Sequence, residues 1–365
     1  MPTNNNETAE KGGLAKIDEL MADIDLTKPF DNLNNGDRYE IGKYLRPYFM
    51  SSTKPILPGS CLGKGGFAKV FLGKSLKHES SRAAIKVVPR KRIQKPEQEE
   101  KIYTEVAIQS SCNHRNIVKL LSHWSDAEKI CLVLEYCPNR TLSHLLKLAP
   151  MKRIPEDASV EIIHQVIDAL AYLHGHGIVH RDIKLGNILL KRRVAKLADF
   201  GLAINYHTTE QKQICGTPNF LAPEVLRHRS HQPKSDLWAT GCVLFCLMTG
   251  RTPFQYTKMS ETAKNILNLN YQMPNYLSAE AIGCIKHILT IDPERRWDHS
   301  QIQNRLDFAV TLAYSNTFQF SELFVKNQPF KDDSVSFIAS IMKVSPHVLP
   351  LRPKSHLKDQ SISRI

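Results

Sequence analysis

At 365 residues, with 42% hydrophobic and 23% charged positions, the chain can bury the core of one large two-lobed domain or of two ordinary ones. A formal charge of +13 raises nucleic acid or an anionic membrane as partners, yet the cations are scattered, with short clusters only at Arg90-Lys91-Arg92 and Lys191-Arg192-Arg193. No zinc-finger, RNA-recognition or basic-zipper pattern accompanies them, and a basic surface attracting acidic protein substrates explains the charge equally well; no direct nucleic-acid partner is expected.

In chain order, residues 1–13 are polar and Asn-rich, lack the apolar core of a secretory signal, and are expected to be disordered. Leu14, Ile17, Leu20, Met21 and Ile24 recur at helical spacing between acidic residues. That pattern fits a docking helix, or a partly formed or core-packed one. Residues 27–53, rich in Pro, Asn and Gly, read as a linker, so 1–53 forms an N-terminal segment. From residue 54 the apolar and β-branched runs Cys61–Gly73, Ala83–Val88, Ile117–Leu121 and Ile130–Tyr136 predict an antiparallel sheet interrupted by one helix carrying Glu105. Helical periods then dominate, over Ala158–His174, Lys234–Thr249 and Ala279–Leu289. Strands first and helices second define an α+β chain in two lobes over 54–310, with a tail at 311–365. The longest apolar run, Trp238–Met248, is far shorter than the roughly 20 residues a membrane crossing needs, and reads as a buried core helix. Eight cysteines without a C-x-x-C pair imply reduced thiols, in the cytoplasm or nucleus. Around Cys242 and Cys246 no further ligand completes a structural metal set.

Chemistry enters with Leu62-Gly63-Lys64-Gly65-Gly66-Phe67-Ala68-Lys69-Val70, a glycine stretch between two strand-like runs. A dinucleotide fingerprint needs a following helix, so this stretch reads instead as a flap whose N–H groups approach phosphate oxygens. Ala68 stands where a third glycine would be. Sixteen residues past Val70, Ala84-Ile85-Lys86 places an ammonium beside the phosphates, with Glu105 as its carboxylate partner. His180-Arg181-Asp182-Ile183-Lys184-Leu185-Gly186-Asn187 matches H-R-D-[LI]-K-x-x-N. Asp182 orients the acceptor hydroxyl or takes its proton, and Asn187 holds a Mg²⁺ ion. Seventeen residues after Asp182, Asp199-Phe200-Gly201 is expected to supply the carboxylate for the Mg²⁺ ion that bridges the β- and γ-phosphates, the ion on Asn187 being the second. Ala222-Pro223-Glu224 closes the segment, and the Asp292–Arg296 run predicts a structural Glu224–Arg296 ion pair.

Over roughly residues 56–308 the chain resembles the eukaryotic protein kinases, and Lys184 is the form seen in their serine/threonine members. The glycine loop, Lys184-Leu185-Gly186-Asn187, Cys215-Gly216-Thr217-Pro218-Asn219-Phe220 and the hinge Leu134-Glu135-Tyr136-Cys137 are similar to those of the polo-like kinases. Asn270-Tyr271-Gln272-Met273-Pro274 is similar to their centriole-duplication branch. The resemblance implies a bilobal, monomeric kinase domain acting on protein substrates with ATP and Mg²⁺. It also implies a cell-cycle role, with a centrosomal or centriolar location. Leu62, Val70, Ala84 and Leu189 would sandwich the adenine, and the backbone of Glu135 and Cys137 would bond its edge. A serine/threonine kinase of another subfamily, or a kinase fold serving as a scaffold, are the alternatives. The scaffold reading would ordinarily show loss of Lys86, Asp182, Asn187 or Asp199, all of which are present.

Two departures from the family stand out. About 57 residues follow Phe308, too few for the usual pair of polo boxes. Gln213 occupies the position where the family carries a phosphorylatable threonine, which leaves Arg181 without that phosphate; either Thr208 or Thr209 substitutes, or the loop is held without phosphate. The positions where other kinases receive basic substrates with carboxylates are Thr141 and Gly186, next to Arg140, so an acidic-leaning preference is expected unless Arg140 is merely solvated.

Overall fold

A computed structural model describes residues 30–31, 38–41, 61–75, 82–208, 214–255 and 258–306. The expectations for a helix at 14–24, for Thr209 and Gln213, and for the tail at 311–365 fall outside these residues.

The N-terminal lobe is an antiparallel sheet built from β1 (Phe30–Asp31), β2 (Arg38–Ile41), β3 (Cys61–Lys64), β4 (Lys69–Ser75), β5 (Arg82–Pro89), β6 (Leu120–Ser125) and β7 (Lys129–Glu135). Its order is β1-β2-β4-β5-β7-β6, with β3 also on β4. The first half of β4 pairs with β3 and its second half with β2, Gly73 to Ser75 lying opposite Ile41 to Tyr39. The stretch read as a linker at 27–53 therefore supplies two strands to one side of the sheet, β1 at its edge and β2 between β1 and β4. Their pairing runs through the backbone, which composition does not report.

Strand alternation sorts the side chains of β4 and β5 between the two faces. Phe71, Ala83, Ile85 and Val87 pack with Cys131 and Val133 on one face. Val70, Ala84 and Lys86 alternate onto the other, the face of the interlobe cleft, where Val70 lies directly opposite Lys86. Helix α1 (Pro96–Ser111) has Pro at its first turn together with Glu97 and Glu99, which suits the positive end of a helix dipole. It packs through Val106 against a cluster that includes Val88, Leu120 and Ile130.

The second lobe is helical: α2 (Leu142–Leu148), α3 (Glu156–Gly175), α4 (Pro223–Leu226), α5 (Pro233–Thr249), α6 (Met259–Leu267) and α7 (Ala279–Ile288). Four short strands, β8 (Ile178–Val179), β9 (Ile188–Lys191), β10 (Val194–Leu197) and β11 (Ile204–Asn205), line the cleft floor. As its composition predicted, α5 is the core helix, buried continuously from Ser235 to Met248. Gly241 within it has a packing reason, since a Cβ there would stand 2.5 Å from Ile288 of α7. Among the described residues no helix is long and apolar enough to cross a membrane. All eight cysteines are free.

Candidate active site

The site sits where the sheet's open face meets the floor strands. On the upper side, Lys86 Nζ donates to both carboxylate oxygens of Glu105, at 2.7 and 2.9 Å, and lies 3.3 Å from Asp199 Oδ1. Glu105 is buried on α1, so the pair exists only with that helix docked against the sheet. Burial alone would lower the Lys86 pKa; Glu105 and Asp199 outweigh it and hold the ammonium above its ordinary value. Chiefly through the Lys86 charge, Asp199 is in turn held below the usual carboxylate range.

On the lower side, the loop after β8 is hung from one buried carboxylate. Asp236, in the first turn of α5, accepts from the backbone N–H groups of His180 (2.8 Å) and Arg181 (2.9 Å) and contacts His174 Nε2 at 3.0 Å. This fixes the turn that presents Asp182. Asn187 Nδ2 donates to the Asp182 carbonyl and to its Oδ2, both at 2.9 Å. Lys184 Nζ lies 2.7 Å from the same Oδ2. Thr217 Oγ1 donates to Asp182 Oδ1 at 2.7 Å while accepting from Lys184 Nζ at 3.1 Å. Asp182 is thereby clamped by three side chains, two from its own loop and one from the far end of the activation segment.

The oxygens facing the cleft suit a hard cation. With the Asn187 amide nitrogen engaged by Asp182, its side-chain carbonyl oxygen could serve as a neutral oxygen ligand, and the half-exposed Asp199 could add an anionic one. The Ala198 N–H donates to the Asn187 backbone carbonyl at 2.9 Å, tying the two ligands to one another through the chain. Phe200 is buried edge-on against His180, with ring centroids 5.0 Å apart, which turns Asp199 toward the cleft.

In the glycine flap, Gly65 N–H closes the turn onto the Ala68 carbonyl at 2.8 Å, leaving Phe67 exposed at the tip. A Cβ at Gly63 or Gly66 would meet nothing within 4 Å, so packing does not demand glycine at either place. Two residues of the flap are placed differently from expectation. Ala68 is buried within the cluster around Val88 and Val106. Lys69, read as part of the phosphate cradle, is 2% exposed and pairs with Val87, on the face opposite that of Val70 and Lys86. The period of two in β4 directs its side chain away from the cleft, and only its backbone remains near the flap.

Leu62, Val70, Ala84 and Leu189 are left exposed or partly exposed, while Glu135 and Cys137 end β7 and begin the hinge. The Glu135 side chain turns aside to Lys191 (2.8 Å) and Lys196 (2.9 Å), and its N–H is taken by the Lys119 carbonyl. Burial, with a smaller push from Glu135, raises the Cys137 thiol to about 12, so it remains protonated. Below the site, Glu224 and Arg296 form the expected buried pair, Nη1–Oε1 at 2.9 Å and Nη2–Oε2 at 3.0 Å. Sequence reasoning quoted Thr217 within Cys215–Phe220 but gave it no part in the site, and Asp236 entered only inside the helical span Lys234–Thr249. The contact of Thr217 with Asp182 spans 35 positions, and no local period announces it.

An upper lysine–glutamate pair, a clamped Asp182, and two oxygen ligands between the lobes are the arrangement of a phosphotransferase of the protein kinase type. The protein kinase domain model matches residues 58–306, and the chain belongs to that family. Within it the chain is similar to polo-like serine/threonine kinases. It is 39% identical over 241 residues to the serine/threonine-protein kinase PLK2 of Mus musculus, covering 65% of this chain and 35% of that protein. It is 38% identical over 249 residues to plk-1 of Caenorhabditis elegans, covering 67% and 38% respectively. With PLK4 of Drosophila grimshawi the identity is 37% over 244 residues, covering 66% and 32%. The chain thus spans about a third of the length of these relatives.

Proposed function

We propose that the chain is a serine/threonine protein kinase that transfers the γ-phosphoryl group of Mg²⁺-ATP to protein hydroxyls, with an acidic-leaning substrate preference. The observation that carries the reading is the closed network of Asp182, Lys184, Asn187 and Thr217 facing an already formed Lys86–Glu105 pair. Asp182 would position the acceptor hydroxyl and Lys184 would neutralise charge on the transferred group. Lys86 would hold the nucleotide phosphates beneath the flap, and Asn187 and Asp199 would hold the metal. Magnesium, brought in with ATP, neutralises phosphate charge.

The substrate preference rests on charge. Thr141 caps α2, its Oγ1 accepting from the His144 N–H at 3.2 Å, and Gly186 is exposed, so neither offers a carboxylate. Arg140, beside Thr141, adds positive charge to that surface. Arg181 Nε donates to the Leu202 carbonyl at 2.6 Å, an anchor internal to the segment that supports a loop held without phosphothreonine at position 213. A cell-cycle role with a centrosomal or centriolar location rests on the polo-like resemblance. The test is γ-phosphate transfer by the phosphatase-treated chain onto paired acidic and basic Ser/Thr peptides. Faster transfer to the acidic peptide is expected; faster transfer to the basic one would overturn the preference, and transfer to neither would overturn the kinase assignment in its phosphate-independent form.

A further inference from the structure

A second cavity, of about 600 Å³, opens beside the hinge and includes none of Lys86, Asp182, Asn187 or Asp199. Its walls come from five places in the chain and carry five cationic side chains, Arg82, Arg115, Lys119, Lys191 and Lys196, against one carboxylate, Glu135. That carboxylate is already occupied by Lys191 and Lys196. Arg82, Arg115 and Lys119 are exposed, and among the described residues their side chains make no hydrogen bond or ion pair. A concave surface with surplus positive charge and a saturated internal anion is built to take an external anion. Leu121 and Tyr136 give the same cavity some apolar wall.

The chain itself carries a matching segment. Asp18, Glu19, Asp23 and Asp25 place four carboxylates in eight residues without an intervening cation, interleaved with Leu20, Met21 and Ile24. The register of the sheet brings that segment near. Phe30 pairs with Tyr39, Tyr39 with Ser75, and the neighbouring Lys74 with Arg82 at the cavity's rim. Three strand spacings separate Phe30 from Arg82, about 14 Å. An extended chain from Phe30 back to Asp25 covers about 17 Å. We propose that the acidic stretch Asp18–Asp25 docks in cis in the cavity beside the hinge, its carboxylates on Arg82, Arg115, Lys119 and Lys191. The inference does not depend on the catalytic reading.

The experiment is zero-length carbodiimide cross-linking of the full chain, with equal amounts of ¹⁴N- and ¹⁵N-labelled protein mixed and the products read by mass spectrometry. Amide bonds from the four acidic residues to Lys119 or Lys191 are expected, within a single isotope label. In the Arg82→Glu/Arg115→Glu variant, which keeps both reporter lysines, their yield should fall roughly 3- to 30-fold. A second variant leaves the cavity untouched. Asp18→Asn/Glu19→Gln/Asp23→Asn/Asp25→Asn should raise the acetylation rate of Lys119 and Lys191 to that of exposed lysines. Mixed-label products would overturn the cis occupant in favour of a second copy. Cross-links that avoid these lysines, or an acetylation rate unchanged by the second variant, would overturn the docking itself.

Discussion

Replacing Glu105 by Gln isolates the charge of the upper pair while keeping its shape. Lys86 Nζ makes two hydrogen bonds to the carboxylate, at 2.7 and 2.9 Å, and Glu105 is 4% exposed. Hydrogen bonds to charged groups contribute about 1.5–3 kcal/mol each. The amide retains one neutral acceptor, and Lys86 retains Asp199 at 3.3 Å, so the net loss amounts to about one such bond. At 1.36 kcal/mol per factor of ten, kcat/KM should fall roughly 10- to 150-fold. Because the pair positions nucleotide phosphates, part of the loss should fall on KM for ATP. The pH range of the assay follows from the titration shifts. Lys86, raised above its ordinary value, keeps its contribution below the unfolded lysine pKa of about 10.4 and loses it only as pH rises through the higher native value. The variant's defect should therefore be constant from about pH 6 to 9. Steady-state transfer kinetics with ATP varied, alongside thermal melts of both proteins, read the effect. An E105Q enzyme with wild-type kcat/KM would refute the claim that the pair holds the productive arrangement.

Thr217→Val removes the hydroxyl that bridges Lys184 and Asp182 while keeping the volume; kcat should drop roughly tenfold or more, and Thr217→Ser should restore most of it. Arg296→Ala leaves Glu224 buried without its guanidinium, and urea unfolding should show a loss of about 3–5 kcal/mol. Burial would raise the Asp236 pKa, but the hydrogen bond from His174 and the nearby imidazoles hold it low. Its stabilisation is complete above the unfolded carboxylate pKa of about 3.9 and is lost as pH falls through the lower native value. Asp236→Asn should accordingly melt well below the wild type at pH 7, with the gap closing below about pH 4 in a series of thermal scans.

Much of the site was legible because its chemistry is written in short local strings. The loop from His180 to Asn187 is one turn of chain, so the side chains that meet around Asp182 are also neighbours in sequence. Lys86 and Glu105 are separated by 19 positions, but an apolar strand and a helix with acidic first turn announce both carriers. Where the reading fell short, the cause was a contact with no local period. Thr217 reaches Asp182 only because the activation segment folds back on itself. Lys69 looked like part of the cradle from its place beside the glycines, yet its parity in β4 sets it with Phe71 and Val87. The strands at Phe30–Asp31 and Arg38–Ile41 are too short to show alternation; the first pairs only with the second, whose own partner, the second half of β4, is more than thirty residues away. The cavity beside the hinge draws its walls from residues between 82 and 196, a grouping that only the folded chain creates.

The central claim is that Asp182 positions the acceptor hydroxyl. Its most direct test compares wild type and Asp182→Asn for γ-phosphate transfer and for ATP binding, with ³²P transfer to a Ser/Thr peptide and calorimetry on the same preparations. The isosteric amide keeps a carbonyl oxygen for Thr217 but loses the charge. Transfer should fall by roughly 10²- to 10⁴-fold, the usual range for a positioned acid–base group, with the affinity for Mg²⁺-ATP within a few-fold of wild type. A variant that transfers phosphate at near wild-type rate would contradict the account, as would one whose loss is explained wholly by failure to bind nucleotide.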